Sequence, residues 1–249
     1  LLLDQTGVIM SWHLPGVLSE EFQVNLEFLF PNISRSITSS RSWRTQEDLF
    51  TESCIRGAIE LSPAWYQQGH QPEVSTILKG SHANPGPWQW LRAGTLQNAI
   101  LSATLMVLHP DIYASWRETL LKLAASTQDK DMQQIILEWS TIYLVVLVIV
   151  NQATPFHRDL SCWVQWLDML AKIGGDPNLH IELDNLGVRL AYSPRTIVDL
   201  SRNVLWHGVL ASVSDWFCLA YHMRDNVQEG VGVHRCDWVK QGELPTLLH

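Results

Sequence analysis

At 249 residues, with 46% apolar and 17% charged residues, the chain has the make-up of one enzyme-sized globular domain and too little length for two independent cores. Its formal net charge of −8 excludes a protein that coats nucleic acid through bulk positive charge and leaves room only for a local basic groove. Cys54, Cys162, Cys218 and Cys236 show neither C-x-x-C pairing nor histidines at zinc spacing, so no disulfide framework or zinc site is indicated and a reducing compartment is expected. The longest apolar run, Ile142 to Val150, is too short to span a bilayer as a helix. The opening Leu1-Leu2-Leu3 lacks an initiating methionine and reads as a fragment, which leaves targeting segments unassigned.

Taken in chain order, the first half reads as mostly helical. The stretch Asn32 to Arg44, rich in Ser, Arg and Thr, is expected to be a mobile loop, and the Pro- and Gly-bearing stretches at Gln71 to Pro72 and Asn84 to Pro87 are expected to be surface loops. From Thr95 to Leu108 the residues Leu96, Ile100, Leu101, Leu105 and Leu108 recur at three- and four-residue steps, an apolar stripe on a helix. His109-Pro110-Asp111 breaks it, since proline disfavours helix at the residue before it. A second helix is expected from Ile112 to about Ala125, with Trp116, Leu120 and Leu123 inward, and a third from about Asp131 to Trp139.

After Thr141 the texture changes to short β-branched runs between turn residues, the pattern of an all-β sandwich or barrel. Strands are expected at Tyr143 to Val150, Phe156 to Asp159, His180 to Leu183, Gly187 to Tyr192, Thr196 to Leu200, Val204 to Val209 and Trp216 to Met223, with Ser193-Pro194-Arg195 as a tight turn. The organisation expected is α+β: a mainly helical segment, residues 1–140, packed on a double-stranded β-helix (jelly-roll) core, residues 141–249, in one compact catalytic domain. Most of the twelve tryptophans are expected to be core anchors.

His157 and Asp159 stand two apart at the end of an expected strand, where alternate side chains point the same way. His207 lies on another expected strand. Two histidines and one carboxylate on one face of a metal are the ligand set of non-haem iron(II) oxygenases. The letters His157-Arg158-Asp159-Leu160 also occur in the catalytic loop of protein kinases, but the asparagine that loop requires would fall at Val164 and no Gly-rich phosphate loop or D-F-G is present. Nucleotide cradles, zincins and nucleophile elbows have no motif here.

The runs Thr154-Pro155-Phe156-His157-Arg158-Asp159, Trp166-Leu167-Asp168-Met169-Leu170, Leu186-Gly187-Val188-Arg189-Leu190 and Leu205-Trp206-His207-Gly208-Val209 resemble the TET/JBP oxygenases. Within that family they are similar to the expanded fungal branch that accompanies transposable elements. The likeness extends upstream through Leu61-Ser62-Pro63-Ala64-Trp65-Tyr66-Gln67-Gln68-Gly69 and Pro72-Glu73-Val74. It implies dependence on Fe(II), 2-oxoglutarate and O2, and oxidation of 5-methylcytosine, thymine or N6-methyladenine in DNA, which would place the protein in the nucleus. A base inside a duplex cannot reach such a centre, so the target nucleotide is expected to be flipped out or single-stranded, with Trp65, Tyr66 and His70 as candidates for stacking on it.

The sequence departs from the family at one place. The arginine that grips the distal carboxylate of 2-oxoglutarate stands, in the resembled family, just before the last core strand, and here Trp216 takes its place. A tryptophan offers one donor and no charge. Arg189 is the substitute expected if its side chain points into the barrel. Arg224 lies eight residues beyond Trp216, about 26 Å along an extended strand. Two further readings stand beside an active base dioxygenase: a degenerate copy that keeps metal or nucleic-acid binding, and an oxygenase of small molecules on the same scaffold.

Overall fold

Strands, not helices, open the chain. A computed structural model describes residues 1–22, 27–37, 42–65, 71–79, 85–212 and 214–244. It begins with β1 (Leu2–Leu3) and β2 (Ile9–Leu14), continues through α1 (Phe30–Arg35) and β3 (Gly57–Leu61), and then runs into α2 (Gly86–Ala93), α3 (Thr95–Leu108), α4 (Pro110–Ser126) and α5 (Lys130–Glu138). The second half supplies β4 (Val145–Val150), β5 (Thr154–His157), β6 (Asp168–Gly174), β7 (His180–Leu183), β8 (Val188–Ala191), β9 (Ile197–Leu200), β10 (His207–Val209), β11 (Trp216–His222) and α6 (Asp225–Gly230). Every strand pairing is antiparallel. The strands form a seven-stranded sheet, β1-β2-β9-β6-β11-β4-β3, facing a four-stranded sheet, β5-β10-β7-β8. The fold is thus α+β with two facing sheets of the jelly-roll kind, and they do not close into a barrel.

The larger sheet is buried on both faces, and its strands show it by alternation. On β11, Trp216, Cys218 and Ala220 face the smaller sheet, whereas Leu219 and Tyr221 face the helices. On β6, Leu170 faces inward, and Met169 and Ala171 face the helical layer. Burial of both faces explains why β4 reads Val-Val-Leu-Val-Ile-Val, without polar alternation. Trp116 of α4 anchors the helical layer. It is fully buried and packs edge-on against Tyr143 at 5.3 Å and Trp166 at 5.6 Å.

Several sequence expectations need correction. The first half is less helical than its periodicity suggested, since β1, β2 and β3 lie there and join the larger sheet. On α3, Leu96 is 67% and Ile100 42% exposed. The inward stripe is instead Asn98, Leu101 and Leu105, because Asn98 accepts from Tyr221 Oη at 2.8 Å and donates to Ser140 Oγ at 3.0 Å. Asn32 to Arg35 belong to α1 rather than to a loop. Gly86 and Pro87 open α2, in the first turn, where the missing proline N–H has no helical partner to lose. β6 escaped the pattern reading because the charged Asp168 and Lys172 interrupt its apolar run, yet both are buried. Among the described residues no helix is long and apolar enough to cross a membrane, and the four cysteines are free thiols.

Replacing Trp116 by alanine would leave a cavity between helices and sheet. The expected loss is about 3–5 kcal/mol, read as a lower urea midpoint at unchanged slope. A loss below about 1 kcal/mol would show that the helical layer does not depend on this anchor.

Candidate metal centre

The site starts from the pairing of two short strands. β10 lies antiparallel to β5 with His207 opposite His157, and on its other side to β7 with His207 opposite Leu183. Gly208 permits the close approach: a Cβ there would stand 2.9 Å from the Thr154 carbonyl oxygen and 3.1 Å from the Phe156 ring. The imidazoles of His157 and His207 consequently sit with ring centroids 4.3 Å apart. The Asp159 carboxylate closes the group, with one ligand atom from each of His157, Asp159 and His207 within 4.8 Å of the others.

Backbone carbonyls orient both rings. His157 Nδ1 lies 2.9 Å from the Pro155 oxygen and His207 Nδ1 2.9 Å from the Leu205 oxygen. A carbonyl oxygen only accepts, so each Nδ1 carries the proton and each Nε2 keeps its lone pair for a metal. Burial, reinforced by the neighbouring His157, pushes His207 down to about 3. Burial lowers His157 as well. Both imidazoles are therefore neutral at physiological pH, the form that ligates.

The carboxylate needs the opposite treatment. Burial favours its protonated form, but Arg202, His157 and Arg44 outweigh burial and hold Asp159 below the usual carboxylate range. Arg202 acts twice, its carbonyl oxygen accepting from the Asp159 N–H at 3.0 Å and its Nη1 lying 3.2 Å from Asp159 Oδ2. Its Nε donates to Asp168 Oδ2 at 2.7 Å. Arg44 donates to Asp159 Oδ1 at 2.7 Å. Trp43 packs on the His157 ring at 4.6 Å, and Gln152 pins this segment by donating to the Trp43 and Arg44 carbonyls, each at 3.0 Å.

These residues fit a divalent ion. Asp159 Oδ2 is buried without a hydrogen bond among the described residues, and it lies 3.7 Å from His157 Nε2. A buried carboxylate oxygen with an ion-pair contact to Arg202 but no hydrogen bond, beside two imidazole nitrogens with free lone pairs, is a donor set that iron(II) takes.

A cavity of about 480 Å³ opens on His157, Asp159 and His207. Alternate residues of β11 line its wall, from Trp216 through Cys218 and Ala220 to His222, with Arg224 beyond. Trp216 thus stands on the cavity, 2% exposed. Trp65 also lines it. Tyr66 and His70 lie outside the described residues. Arg189 does not join the site, because its side chain is 69% exposed on β8 and pairs with Glu182 at 2.9 Å. Arg224 lines the cavity but is committed to Glu60. Sequence reading missed Arg44, Gln152 and Arg202. Only Arg202 left a trace, two residues beyond the expected strand Thr196 to Leu200.

Residues 62–224 match the family model Tet_JBP, described as the oxygenase domain of the 2OGFeDO superfamily. Among solved structures the chain is similar to "NgTET1 in complex with 5mC DNA", with a TM-score of 0.55 and 15% identity over 90% of this chain and 76% of that one. At that identity the likeness concerns the fold. No curated protein matches the sequence.

Two substitutions probe the construction of the site. Arg202→Met leaves Asp168 buried without its partner, and is expected to cost about 3–5 kcal/mol in urea unfolding and to weaken iron(II) or cobalt(II) binding about 10–100-fold in calorimetry. Unchanged metal affinity in a folded variant would remove Arg202 from the site. Gly208→Ala should force β10 from β5 and weaken metal binding while the helical far-ultraviolet signal persists. Wild-type affinity there would mean that the strand contact is not what sets the spacing of the imidazoles.

Proposed function

Because the chain belongs to the Tet_JBP oxygenases of the 2OGFeDO superfamily, we propose that it is an Fe(II)- and 2-oxoglutarate-dependent dioxygenase that oxidises methyl groups on bases of DNA. The observation that carries this reading is the convergence of His157, Asp159 and His207 on one side of a cavity. When bound, iron(II) with 2-oxoglutarate and O2 supplies the oxidising power for a methyl C–H bond, and succinate and carbon dioxide are released. His157 and His207 would hold the ion through Nε2, and Asp159 through its carboxylate. The Pro155 and Leu205 carbonyls keep the imidazoles in the ligating tautomer, and Arg202 keeps the carboxylate charged. Trp216, Tyr192 and Ile181 on the cavity wall restrict water in the cavity.

The substrate reading places the target base in this cavity. A flipped nucleotide needs an aromatic face beside it, and Trp65, half-buried on the cavity wall, is suited to that role. Tyr66 and His70 follow it in sequence and share the assignment. Methylated DNA as substrate, 5-methylcytosine first among the candidates, is also in keeping with the DNA complex named for the structural neighbour. A nuclear location follows from that substrate.

The test is succinate formation by the iron-loaded chain with 2-oxoglutarate, run with 5-methylcytosine DNA, unmethylated DNA and no DNA. Turnover coupled to methylated DNA is expected, and His207→Ala should abolish both metal binding and turnover. Equal succinate in all three arms would point to a small-molecule oxygenase, and iron binding without succinate in any arm to a degenerate copy.

A further inference from the structure

The cavity wall raises a question of charge. Trp216 stands where the resemblance puts an arginine, Arg189 faces solvent, and Arg224 is held by Glu60. A dicarboxylate co-substrate requires a cation or an equivalent at its far end. β6 provides one. Lys172 lies opposite Cys218 of β11 in the strand register, so its side chain points to the same interior face as Cys218 and Trp216. It is 0% exposed. Its ammonium sits 5.7 Å from the Tyr192 ring centroid and 6.0 Å from that of Trp216, and both rings line the cavity.

Two features show that this corner is polar but incomplete. Lys172 Nζ makes one hydrogen bond among the described residues, to the Asp176 carbonyl oxygen at 2.7 Å, and no carboxylate lies within ion-pair distance of it. An ammonium has three donors, and the Asp176 charge that acts on it from beyond ion-pair distance only partly offsets the cost of burying it. Trp216 Nε1 is likewise buried without an acceptor. Beside it, the Tyr192 hydroxyl has only a weak partner, the Cys218 sulfur at 3.2 Å. Gly175 lets the β6–β7 turn close over this corner: it takes φ of +80°, and a Cβ there would meet the Trp216 Cβ at 2.4 Å. Although burial draws Lys172 down to about 8, it remains mostly charged at neutral pH.

We infer that Lys172 is the counter-charge for the distal carboxylate of 2-oxoglutarate, with the Trp216 indole N–H and the Tyr192 hydroxyl as the donors lining that end of the cavity. The inference rests on the proposed co-substrate. It assigns to β6 a function that the resembled family gives to an arginine near β11. The same corner disfavours a 2-oxoacid with an apolar tail, which would leave the ammonium and the indole N–H without an acceptor.

The experiment is an anaerobic titration of the iron(II)-loaded full chain with 2-oxoglutarate and with 2-oxopentanoate, which lacks the distal carboxylate, followed by the visible charge-transfer band of the chelated 2-oxoacid. Wild type should prefer 2-oxoglutarate. Lys172→Met should lose about tenfold or more of that preference while its affinity for 2-oxopentanoate holds. Lys172→Arg should retain the preference, and Trp216→Phe, which keeps a ring and removes only the donor, should reduce it. An unaltered preference in Lys172→Met overturns the inference and leaves Lys172 as a prop for the Asp176 carbonyl. Should Lys172→Met fail to fold, an unaltered preference in Trp216→Phe overturns it instead. Failure of the iron-loaded wild type to bind either acid would overturn the proposed function itself.

Discussion

The structure turns on keeping a carboxylate charged where burial would neutralise it. Asp159 is 8% exposed and Asp168 1%, and Arg202, itself 8% exposed, lies between them and bonds to the second. Two buried carboxylates at close quarters would share a proton rather than both ionise. The guanidinium removes that option, because it cannot be deprotonated in a protein and its planar fork serves two acceptors at once. Burial pushes Asp168 up to about 6 even so. Stability alone does not explain such an arrangement, since a buried ion pair is often no better than an apolar replacement. A carboxylate that has to present a negative oxygen to a bound cation would explain it.

Position follows from the same economy of parts. Thr154, Pro155, His157, Asp159, Leu205, His207 and Gly208 lie within two short stretches of chain joined by the β5–β10 pairing. In each stretch a carbonyl two residues before the histidine fixes its ring. The geometry of the three side chains is therefore local in its details and non-local only in the single strand contact that joins them. That contact holds because the smaller sheet packs on the larger one through Ile181, Leu183, Tyr192, Val198 and Trp216, and because the helices cover the larger sheet's other face. Without the helical layer the larger sheet would expose a contiguous apolar face, an aggregation surface rather than a scaffold.

What the sequence disclosed divides along physical lines. The cluster His157, Asp159 and His207 was readable from residue chemistry and spacing, although the strand expected to carry the first two ends at His157 and leaves Asp159 just beyond it. The strand His180–Leu183 and the helix Thr95–Leu108 fall where periodicity placed them. Arg44 and Gln152 were not readable: Arg44 lies 115 residues from Asp159 in sequence, and only tertiary folding brings it to the carboxylate and Gln152 to the Trp43 and Arg44 carbonyls. β6 was missed for a related reason. Asp168 and Lys172 look like surface positions until Arg202 and the interior between the sheets give them partners, and a pattern that scores charge as exposure cannot register that. Leu96 and Ile100 failed in the other direction, as apolar residues left at the surface because a hydrogen-bonded asparagine took the inward face of α3.

The charges around the centre carry the argument one step further. Arg44 and Arg202 together balance Asp159 and Asp168, so the protein groups nearest the ligands are close to neutral as a set. A divalent ion added to that set leaves an excess of positive charge in a poorly hydrated cavity, where Coulomb interactions are strong. A dianion bound beside it would restore neutrality, and a neutral molecule would not. The chain's acidity bears on the same point: with a net charge of −8, any attraction for an anionic polymer would have to come from local cations such as the exposed Arg158, which lies over the half-exposed Trp206 ring at 5.4 Å. The exposed Arg158 is thus distinct from the buried charges around Asp159, and neither can be read from the overall charge of the chain.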